Sequence, residues 1–280
     1  MKLVRYGPKG AEKPGLIDEA GVLRDLSAHV SDIDCDTCTN AQLDRLAALE
    51  PAALPQVAGS PRLGSPIKRP GHFIAIGLNF RDHAAEAGQP IPSEPVVFSK
   101  APSSINGPHD DVVIPKGCTK LDWEVELAFV VSQRAWQISE ADAFAHIAGY
   151  LICNDVSERT WQFGGSGQWT KGKSGPTFGP LGPYLVTTDE IPDPQNLDIF
   201  LDVNGTRRQT GNTSTMIFPI AEIIAYLSGI MVLEPGDVVT TGTPPGVGMG
   251  MNPPVFLQPG DVMTLGISGL GEQRQKVVAA

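Results

Sequence analysis

Apolar and polar residues alternate along the stretch 121–131, LDWEVELAFVV. A period of two indicates a half-buried β-strand, because successive side chains of a strand point to opposite faces. Glu124 and Glu126 therefore project from one face, about 6.6 Å apart along the strand. A second apolar run, 148–153 (AGYLIC), leads directly into Asn154 and Asp155, which places a third carboxylate at the end of a strand.

Short apolar runs separated by Gly and Pro recur after residue 73 and predict further strands. Asn204-Gly205, between two such runs, predicts a tight hairpin. Residues 1–65 are interpreted as a small N-terminal α+β domain, followed by a larger domain over residues 66–280. The Pro/Gly/Ser-rich stretch 60–71 is interpreted as the linker between them. The fold class is therefore mainly β with a few helices.

Helical spacing of apolar residues predicts three main helices. The first covers 40–49 and ends before Pro51. A short one covers 80–88, with Asn79 as its N-terminal cap and Gly88 at its end. The third covers 219–227, with Pro at its start and Gly229 after it.

Composition narrows the class of protein. The chain has 280 residues, 41% of them hydrophobic, and a net charge of −10. Because no basic stretch carries interleaved aromatic residues, nucleic acid and anionic membranes are not expected as partners. There is no run of 18 apolar residues and no signal peptide at residue 1, so we expect a cytoplasmic protein. Its four cysteines are then thiols, and the C-x-x-C of Cys35 and Cys38 is interpreted as a chance spacing rather than a zinc or redox site.

Convergence of Glu124, Glu126 and Asp155 would be unfavourable without a counter-ion. Each pair of carboxylates repels by roughly 4 kcal/mol at 4 Å and an effective dielectric near 20. A divalent cation that prefers oxygen ligands, Mg²⁺, Mn²⁺ or Ca²⁺, removes this repulsion. For an isolated E-x-E the alternative, a solvated strand face, would be preferred.

His83 and Glu86 stand three residues apart on the short predicted helix, so their side chains share a face. A carboxylate beside a histidine fixes its tautomer and raises its basicity, as a general base that activates water requires. The alternative is a surface ion pair.

Two Gly-rich stretches invite a nucleotide-binding interpretation. GQWTKGKS (167–174) matches the phosphate-loop pattern G-x-x-x-x-G-K-[ST]. We reject it, because that loop must follow a buried strand and open a helix, whereas the residues after 174 are rich in Gly and Pro. Its Lys173 suits an anionic substrate near an acidic site, and Arg159 could hold a carboxylate; a solvated lysine and a surface arginine are the alternatives. In GTPPGVGMG (242–250), successive backbone N–H groups could bind a carboxylate.

The second domain resembles the fumarylacetoacetate hydrolase family from about Ile74 to Gly271. The segments that carry the resemblance occur in the family's order: GLNFRDHAAE, DWEVELAFVV, GYLICNDVSER, GQWTKGKS-GPTFGP-LGPY, VNG…Q-TGNTSTMIF, LEPGDVVTTGTPPGVG and LQPGDV. The resemblance implies mixed, strongly curved β-sheets that form a roll, and a homodimer or a higher assembly. It also implies one Mg²⁺ or Mn²⁺ per subunit, bound by Glu124, Glu126 and Asp155.

The resemblance also implies roles for individual residues. His83 and Glu86 match the water-activating pair of the family's smaller members, and Lys173 matches the lysine beside the metal. The positions that match substrate contacts, or that offer a cation to the substrate, are Lys100, Arg159, Gln162, Lys171 and Thr243. The chain departs from the common pattern at Pro176, where Asp is usual, and at 157–160, where S-E-R-T replaces S-A-R-D.

The implied reaction is hydrolysis of the C3–C4 bond of a 2,4-diketo acid (an acylpyruvate). Glu158 and the segment GGSGQW are similar to a subgroup that handles 2,4-diketo-3-deoxy sugar acids, some of whose members are named ureidoglycolate lyase. The implied substrate is 2,4-diketo-3-deoxy-L-rhamnonate or -L-fuconate, with pyruvate and L-lactate as products. Decarboxylation of oxaloacetate, or hydration or isomerisation of a 2-oxo-alkenoate, is the alternative on the same chemistry. A binding protein without catalysis is a third hypothesis, which the pair His83 and Glu86 argues against.

Overall fold

Most of the regular structure is β-strand, as the recurrent short apolar runs predict. A computed structural model describes residues 1–86 and 88–280. Its strands are β1 (Lys2–Tyr6), β2 (Lys13–Ile17), β3 (Leu23–Asp25), β4 (Phe73–Gly77), β5 (Val96–Ser99), β6 (Ile105–Asn106), β7 (Val112–Ile114), β8 (Leu121–Asp122), β9 (Val125–Val131), β10 (Ile147–Asn154), β11 (Ser157–Glu158), β12 (Gly179–Thr187), β13 (Asp198–Val203), β14 (Thr206–Asn212), β15 (Val238–Thr240), β16 (Val262–Ile267) and β17 (Gly271–Ala279).

The helices are few and mostly short. They are α1 (Asn40–Ala47), α2 (Arg81–Glu86), α3 (Arg159–Phe163), α4 (Thr170–Lys173) and α5 (Ile220–Ile230), with 3₁₀ turns at Pro51–Ala53, Pro102–Ser104, Glu140–His146, Thr188–Glu190, Thr213–Thr215 and Gly248–Gly250. Ala87, which falls within the helix predicted over 80–88, lies outside the described residues. Over the described part of the chain, no helix has the length and apolarity needed to cross a membrane.

Two large sheets organise these strands. Within residues 1–86 and 88–280, the larger sheet has ten strands in the order β3-β2-β1-β12-β10-β9-β15-β4-β5, with β6 beside β12. The second has the order β14-β13-β16-β17-β7, and β8 pairs with β11. β13 and β14 pair from Val203 and Thr206 outward, which confirms the hairpin at Asn204-Gly205. The mainly β, α+β class is therefore confirmed, and the arrangement is consistent with the implied roll.

The strand predicted over 121–131 differs from the expectation in two respects. It is interrupted at Trp123 and Glu124, so that β8 pairs with β11 while β9 enters the large sheet. It is also buried on both faces, not half-buried. The odd-numbered residues of β9 pack with the second sheet and α5, and Ala128 and Val130 pack with apolar residues of β1 and α1. The alternation therefore separates two cores, not core from solvent.

The N-terminal residues extend the same large sheet. β1 pairs with β12, and Leu3, Leu43 and Leu46 share an apolar cluster with residues of β10. The division at residue 65 stays a prediction. The prediction for α5 ended one turn too early, because the backbone N–H of Met231 still donates to the carbonyl of Leu227 at 2.9 Å.

Candidate functional site

Neighbouring ends of β9 and β10 bring three carboxylates together. In this antiparallel pair Cys153 lies opposite Glu126. The backbone N–H of Asp155 donates to the carbonyl of Glu124 at 2.8 Å, which sets Asp155 beside Glu124. Oxygen atoms of Glu124, Glu126 and Asp155 all lie within 4.8 Å of one another, and all three residues are buried. The structure thus brings the three predicted metal ligands into one cluster.

Two buried lysines contact this cluster. Lys173 Nζ lies 2.6 Å from Glu124 Oε2 and 2.6 Å from Asp155 Oδ2. Lys100 Nζ donates at 2.5 Å both to Asp155 Oδ1 and to the carbonyl of Lys173. Lys173 was expected on a loop, but it is the last residue of α4 and is 2% exposed. Its ammonium is therefore fixed against the carboxylates, not held in solvent.

Arg159 completes the cationic side of the cluster. Its Nε donates to Asp122 Oδ2 at 2.8 Å, and its Nη2 lies 2.8 Å from Glu124 Oε1. Its Nη1 donates to Gln162 Oε1 at 3.0 Å. Asp122 is fully buried and was not singled out from the sequence. It belongs to the same polar face of the stretch 121–131 as Glu124, and that alternation was a signal that could have found it.

The carboxylates differ in how their charge is balanced. Burial alone would raise the pKa of Glu124, but Lys173 and Arg159 outweigh burial and lower it well below its ordinary value. Burial, reinforced by Asp155 and Glu124, holds the pKa of Glu126 well above its ordinary value. Burial would lower the pKa of Lys173, yet Asp155 and Glu124 raise it, so the lysine stays charged. Glu126 is thus the carboxylate whose charged form the surrounding cations stabilise least.

The three carboxylates are suitable ligands for a divalent cation. Glu126 accepts hydrogen bonds from the hydroxyl of Thr240 and from the backbone N–H of Gly242 (2.9 Å), and in the described chain no cation lies within ion-pair distance of it. Three buried carboxylates offer only oxygen ligands, which Mg²⁺ and Mn²⁺ prefer over softer donors. An ion bound by Glu124, Glu126 and Asp155 would stabilise the charged form of Glu126, which burial and the two neighbouring carboxylates disfavour.

His83 and Glu86 form the expected pair on α2. His83 Nδ1 lies 3.1 Å from Glu86 Oε2, which leaves Nε2 for another partner. The backbone N–H of Gly246 donates to both oxygens of Glu86, at 3.0 and 3.1 Å. The prediction that Asn79 caps this helix is wrong. Its amide joins two other segments instead, donating to the carbonyl of Thr241 at 2.8 Å and accepting from the N–H of Phe218 at 2.8 Å.

The glycine-rich loop 242–250 does bind carboxylates through its backbone, but those of the protein itself. Gly242 donates to Glu126, Gly246 to Glu86 and Gly248 to Asp122. The hydroxyl of Thr243 donates to the carbonyl of Val125 at 2.8 Å and accepts from Gln209 at 2.8 Å. Both of these contacts are internal, although Thr243 was predicted as a substrate contact.

The three carboxylates and the His83–Glu86 pair face one cavity of about 540 Å³. Most of the predicted site residues line it: His83, Glu86, Glu124, Glu126, Asp155, Arg159, Gln162, Lys173 and Thr243. Lys100 lies in contact with Asp155 but does not line the cavity. Lys171 points elsewhere, because its Nζ donates to the carbonyl of Gly164 at 2.7 Å in an exposed position. Three aromatic residues, Phe98, Phe163 and Trp169, also line the cavity; of these, Trp169 belongs to the segment GGSGQW, in which the sequence resembles the sugar-acid subgroup.

Neither of the other two motifs opens an alternative site. GQWTKGKS follows the helix α3 and leads through a loop into the strand β12, so it lacks the strand–loop–helix context of a phosphate loop. Cys35 is exposed and Cys38 is buried, and both are free thiols. Burial raises the pKa of the Cys38 thiol, which keeps it protonated.

Comparison with known proteins gives one consistent result. The model of the fumarylacetoacetate (FAA) hydrolase C-terminal family matches residues 72–278. A Burkholderia multivorans protein with the provisional name of a hydrolase is 59% identical, over 100% of each chain. The solved fumarylacetoacetate hydrolase from Exiguobacterium antarcticum is 35% identical, with a TM-score of 0.86 over 100% of each chain. The 2-hydroxyhepta-2,4-diene-1,7-dioate isomerase from Mycobacterium marinum is 30% identical, with a TM-score of 0.76 over 100% of this chain and 98% of that one.

Proposed function

The chain belongs to the fumarylacetoacetate hydrolase family, and we propose that it hydrolyses the C3–C4 bond of an acylpyruvate. The relatives are named for a hydrolysis and for an isomerisation, and both names describe oxygenated acids that can form an enol or enolate. One observation carries the choice of hydrolysis: the His83–Glu86 pair faces the same cavity as the three carboxylates and Lys173. Hydrolysis needs a base for water, and this pair supplies one.

The reaction balances with one water. R–CO–CH₂–CO–COO⁻ and H₂O give R–COO⁻, H⁺ and pyruvate, CH₃–CO–COO⁻. The C3–C4 bond breaks, its electron pair stays on C3 as the pyruvate enolate, and the water oxygen bonds to C4. The enolate then takes up a proton at C3.

His83 acts as the base in this scheme. Glu86 contacts Nδ1, so Nε2 accepts the proton of a water aligned with C4. Gly246 holds Glu86 through its N–H, and Glu86 in turn fixes the orientation of the imidazole. The oxygen of this water, having lost its proton to His83, attacks C4.

Lys173 and Arg159 supply fixed positive charge beside the carboxylates. The Lys173 ammonium lies where it can donate to an anionic oxygen, and it stabilises the enolate more than the neutral ketone. A divalent cation bound by Glu124, Glu126 and Asp155 would supply further positive charge for the 2-oxo acid group. This local charge has to overcome the net charge of −10, which repels anions at long range.

A second candidate keeps the head group and changes the reaction. Decarboxylation of oxaloacetate, or isomerisation of a 2-hydroxydienoate, requires stabilisation of an enolate but no attack by water. The name of the Mycobacterium marinum relative favours isomerisation. The sugar-acid tail implied by the sequence, 2,4-diketo-3-deoxy-L-rhamnonate or -L-fuconate, stays a finer prediction.

Isotope labelling separates these reactions. The purified protein with Mg²⁺ is given acetylpyruvate and, in parallel, oxaloacetate in water enriched in ¹⁸O. Hydrolysis puts one solvent oxygen into the released acetate, whereas decarboxylation releases CO₂ and leaves no second acid. His83→Asn should release much less labelled acetate than the parent. His29→Asn, at an exposed histidine outside the cavity, is the matched control and should release as much as the parent. Turnover of oxaloacetate with no labelled acetate would reject the hydrolase in favour of the second candidate.

A further inference from the structure

We propose that the acyl tail of the substrate is apolar and binds against an aromatic wall formed by Phe98, Trp169 and Phe163. The inference rests on the proposed function, because it places the acyl tail in the part of the cavity that the 2,4-diketo head group does not occupy. It selects a benzyl or branched alkyl tail over the 1-hydroxyethyl tail of a diketo-deoxy sugar acid.

The wall is a continuous set of edge-to-face contacts. The ring centroids of Phe98 and Trp169 are 5.3 Å apart at an interplanar angle of 61°. Those of Phe163 and Trp169 are 5.9 Å apart at 80°. Rings at these distances and angles are in a favourable arrangement and form a stable apolar surface.

The wall begins at the head-group site and ends at the surface. Lys173 Nζ lies 5.2 Å from the ring centroid of Phe98, which is only 9% exposed. Phe163, at the other end, is 48% exposed. A head group held at Lys173 therefore leaves its tail to extend along Phe98 and Trp169 toward Phe163.

The wall is built into the elements that carry the charged groups. Trp169 directly precedes α4, which ends at Lys173, and Phe163 ends α3, which begins at Arg159. Gly77 at the end of β4 makes room for the indole, since a Cβ there would lie 2.3 Å from Trp169 Cζ3. The backbone of β4 thus backs the ring and fixes its position relative to the head group.

A hydroxylated tail would find few partners in the cavity. The Gln162 side-chain oxygen already accepts from Arg159, and the Thr243 hydroxyl both donates to Val125 and accepts from Gln209. The cavity lining also contains the apolar side chains Ile76, Leu78, Val247 and Met249, with Gln89 as a further polar one. A hydroxyl buried there loses its water without replacement, which disfavours it. The volume of about 540 Å³ is also that of a site for a larger ligand than a six-carbon acid.

The test compares three acylpyruvates that share the head group. Their tails are methyl (acetylpyruvate), 1-hydroxyethyl (the diketo-deoxy sugar acid) and benzyl (phenylacetylpyruvate). The methylene of the benzyl tail insulates C4 from the ring, so the carbonyl reactivity stays similar. We expect kcat/KM for the benzyl tail to exceed that for the methyl tail by roughly tenfold or more, the effect of added apolar contact in a pocket.

Variants assign the preference to the wall. Trp169→Ala should lower the benzyl-to-methyl ratio of kcat/KM by roughly tenfold, and Trp169→Phe should restore much of it because an aromatic surface remains. Trp136→Ala is the matched control, since Trp136 is a 48% exposed tryptophan outside the cavity, and the ratio should stay at the parent value.

The outcomes separate the two proposals. If acetylpyruvate is hydrolysed and kcat/KM for the 1-hydroxyethyl tail equals or exceeds that for the benzyl tail, the proposal of an apolar tail is wrong, whereas the proposed hydrolase activity stands. An unchanged ratio in Trp169→Ala would equally exclude the wall. If no acylpyruvate is hydrolysed, the proposed function fails. The binding of phenylacetylpyruvate and acetylpyruvate to the parent and to Trp169→Ala is then measured by calorimetry. Tighter binding of phenylacetylpyruvate to the parent, lost in Trp169→Ala, would support the aromatic wall, and equal binding of the two ligands to the parent would refute it.

Discussion

Replacing His83 by Asn separates the role of the base from that of the positive charges. Asn preserves a polar side chain of similar width but cannot take up a proton at neutral pH. The Lys173 contacts at 2.6 Å and the cluster of three carboxylates involve no atom of His83. The groups that stabilise the enolate should therefore remain intact in this variant. The loss should therefore be that of a general base, roughly 10²- to 10⁴-fold in kcat for acylpyruvate hydrolysis.

Oxaloacetate provides the internal comparison. Decarboxylation places electrons on the same 2-oxo group but needs no attacking water, so it draws on the electrostatic contribution alone. Its rate in His83→Asn should stay within about tenfold of the parent. Glu86→Gln should reduce hydrolysis less than His83→Asn does, because Glu86 orients the imidazole and does not take the proton. Both rates are measured by mass spectrometry of the products at fixed Mg²⁺, with His29→Asn as control.

Two results would refute this reasoning. Equal loss of both activities, with Mn²⁺ affinity unchanged, would mean that His83 shapes the cavity and that the base lies elsewhere. Full retention of hydrolysis would mean that water is activated without the imidazole.

Three further predictions concern charge. Glu124→Gln or Asp155→Asn should abolish Mn²⁺ binding in calorimetric titration while circular dichroism still shows a folded protein, since each carboxylate is a needed ligand but the cluster is self-repelling; unchanged affinity would make the cluster a structural feature. Lys173→Met should raise KM and should lower kcat by roughly 10²-fold, as loss of one oxyanion donor does. Steady-state kinetics on acetylpyruvate measure both constants, and a change in KM alone would contradict the prediction. Arg62 forms ion pairs with Asp110 and Glu12, outside the cavity. Burial alone would raise the pKa of Asp110, but Arg62 lowers it below the ordinary 3.8, so the Arg62–Asp110 pair stabilises the fold above that pH and this stabilisation is lost as pH falls through the depressed pKa. Arg62→Gln should therefore lower the urea midpoint at pH 7 by an amount equivalent to about 1–3 kcal/mol and shrink the difference between pH 7 and pH 3; an unchanged midpoint at pH 7 would contradict it.

The sequence predicted the carboxylate cluster well because it depends on local pattern. Alternation assigned Glu124 and Glu126 to one face, and the strand end assigned Asp155, without any knowledge of the sheet order. The same pattern could not predict burial on both faces, because that depends on the second sheet and on α1, which lie far away in the chain. The local pattern also predicted Asn79 as a helix cap, whereas its partners Thr241 and Phe218 are more than a hundred residues away.

The aromatic wall could not be predicted for a similar reason. Phe98, Phe163 and Trp169 come from β5, α3 and the start of α4, and no period or spacing in the sequence connects them. Each taken alone would be interpreted as an ordinary core or surface residue. Only the packing of α3 and α4 beside β5 brings the rings to one side of the cavity.

The loop 242–250 explains how the base and the charged cluster keep their relative positions. Its backbone donates to Glu126 at Gly242, to Glu86 at Gly246 and to Asp122, the partner of Arg159, at Gly248. Gly246 has φ +104°, and a Cβ there would lie 1.9 Å from the carbonyl oxygen of Arg208, so no other residue fits without displacement of the loop. One segment of nine residues thus ties the base, the charged cluster and the arginine to a common backbone. The loop therefore holds the His83–Glu86 pair in place relative to the carboxylates that β9 and β10 bring together, although these side chains come from distant parts of the chain.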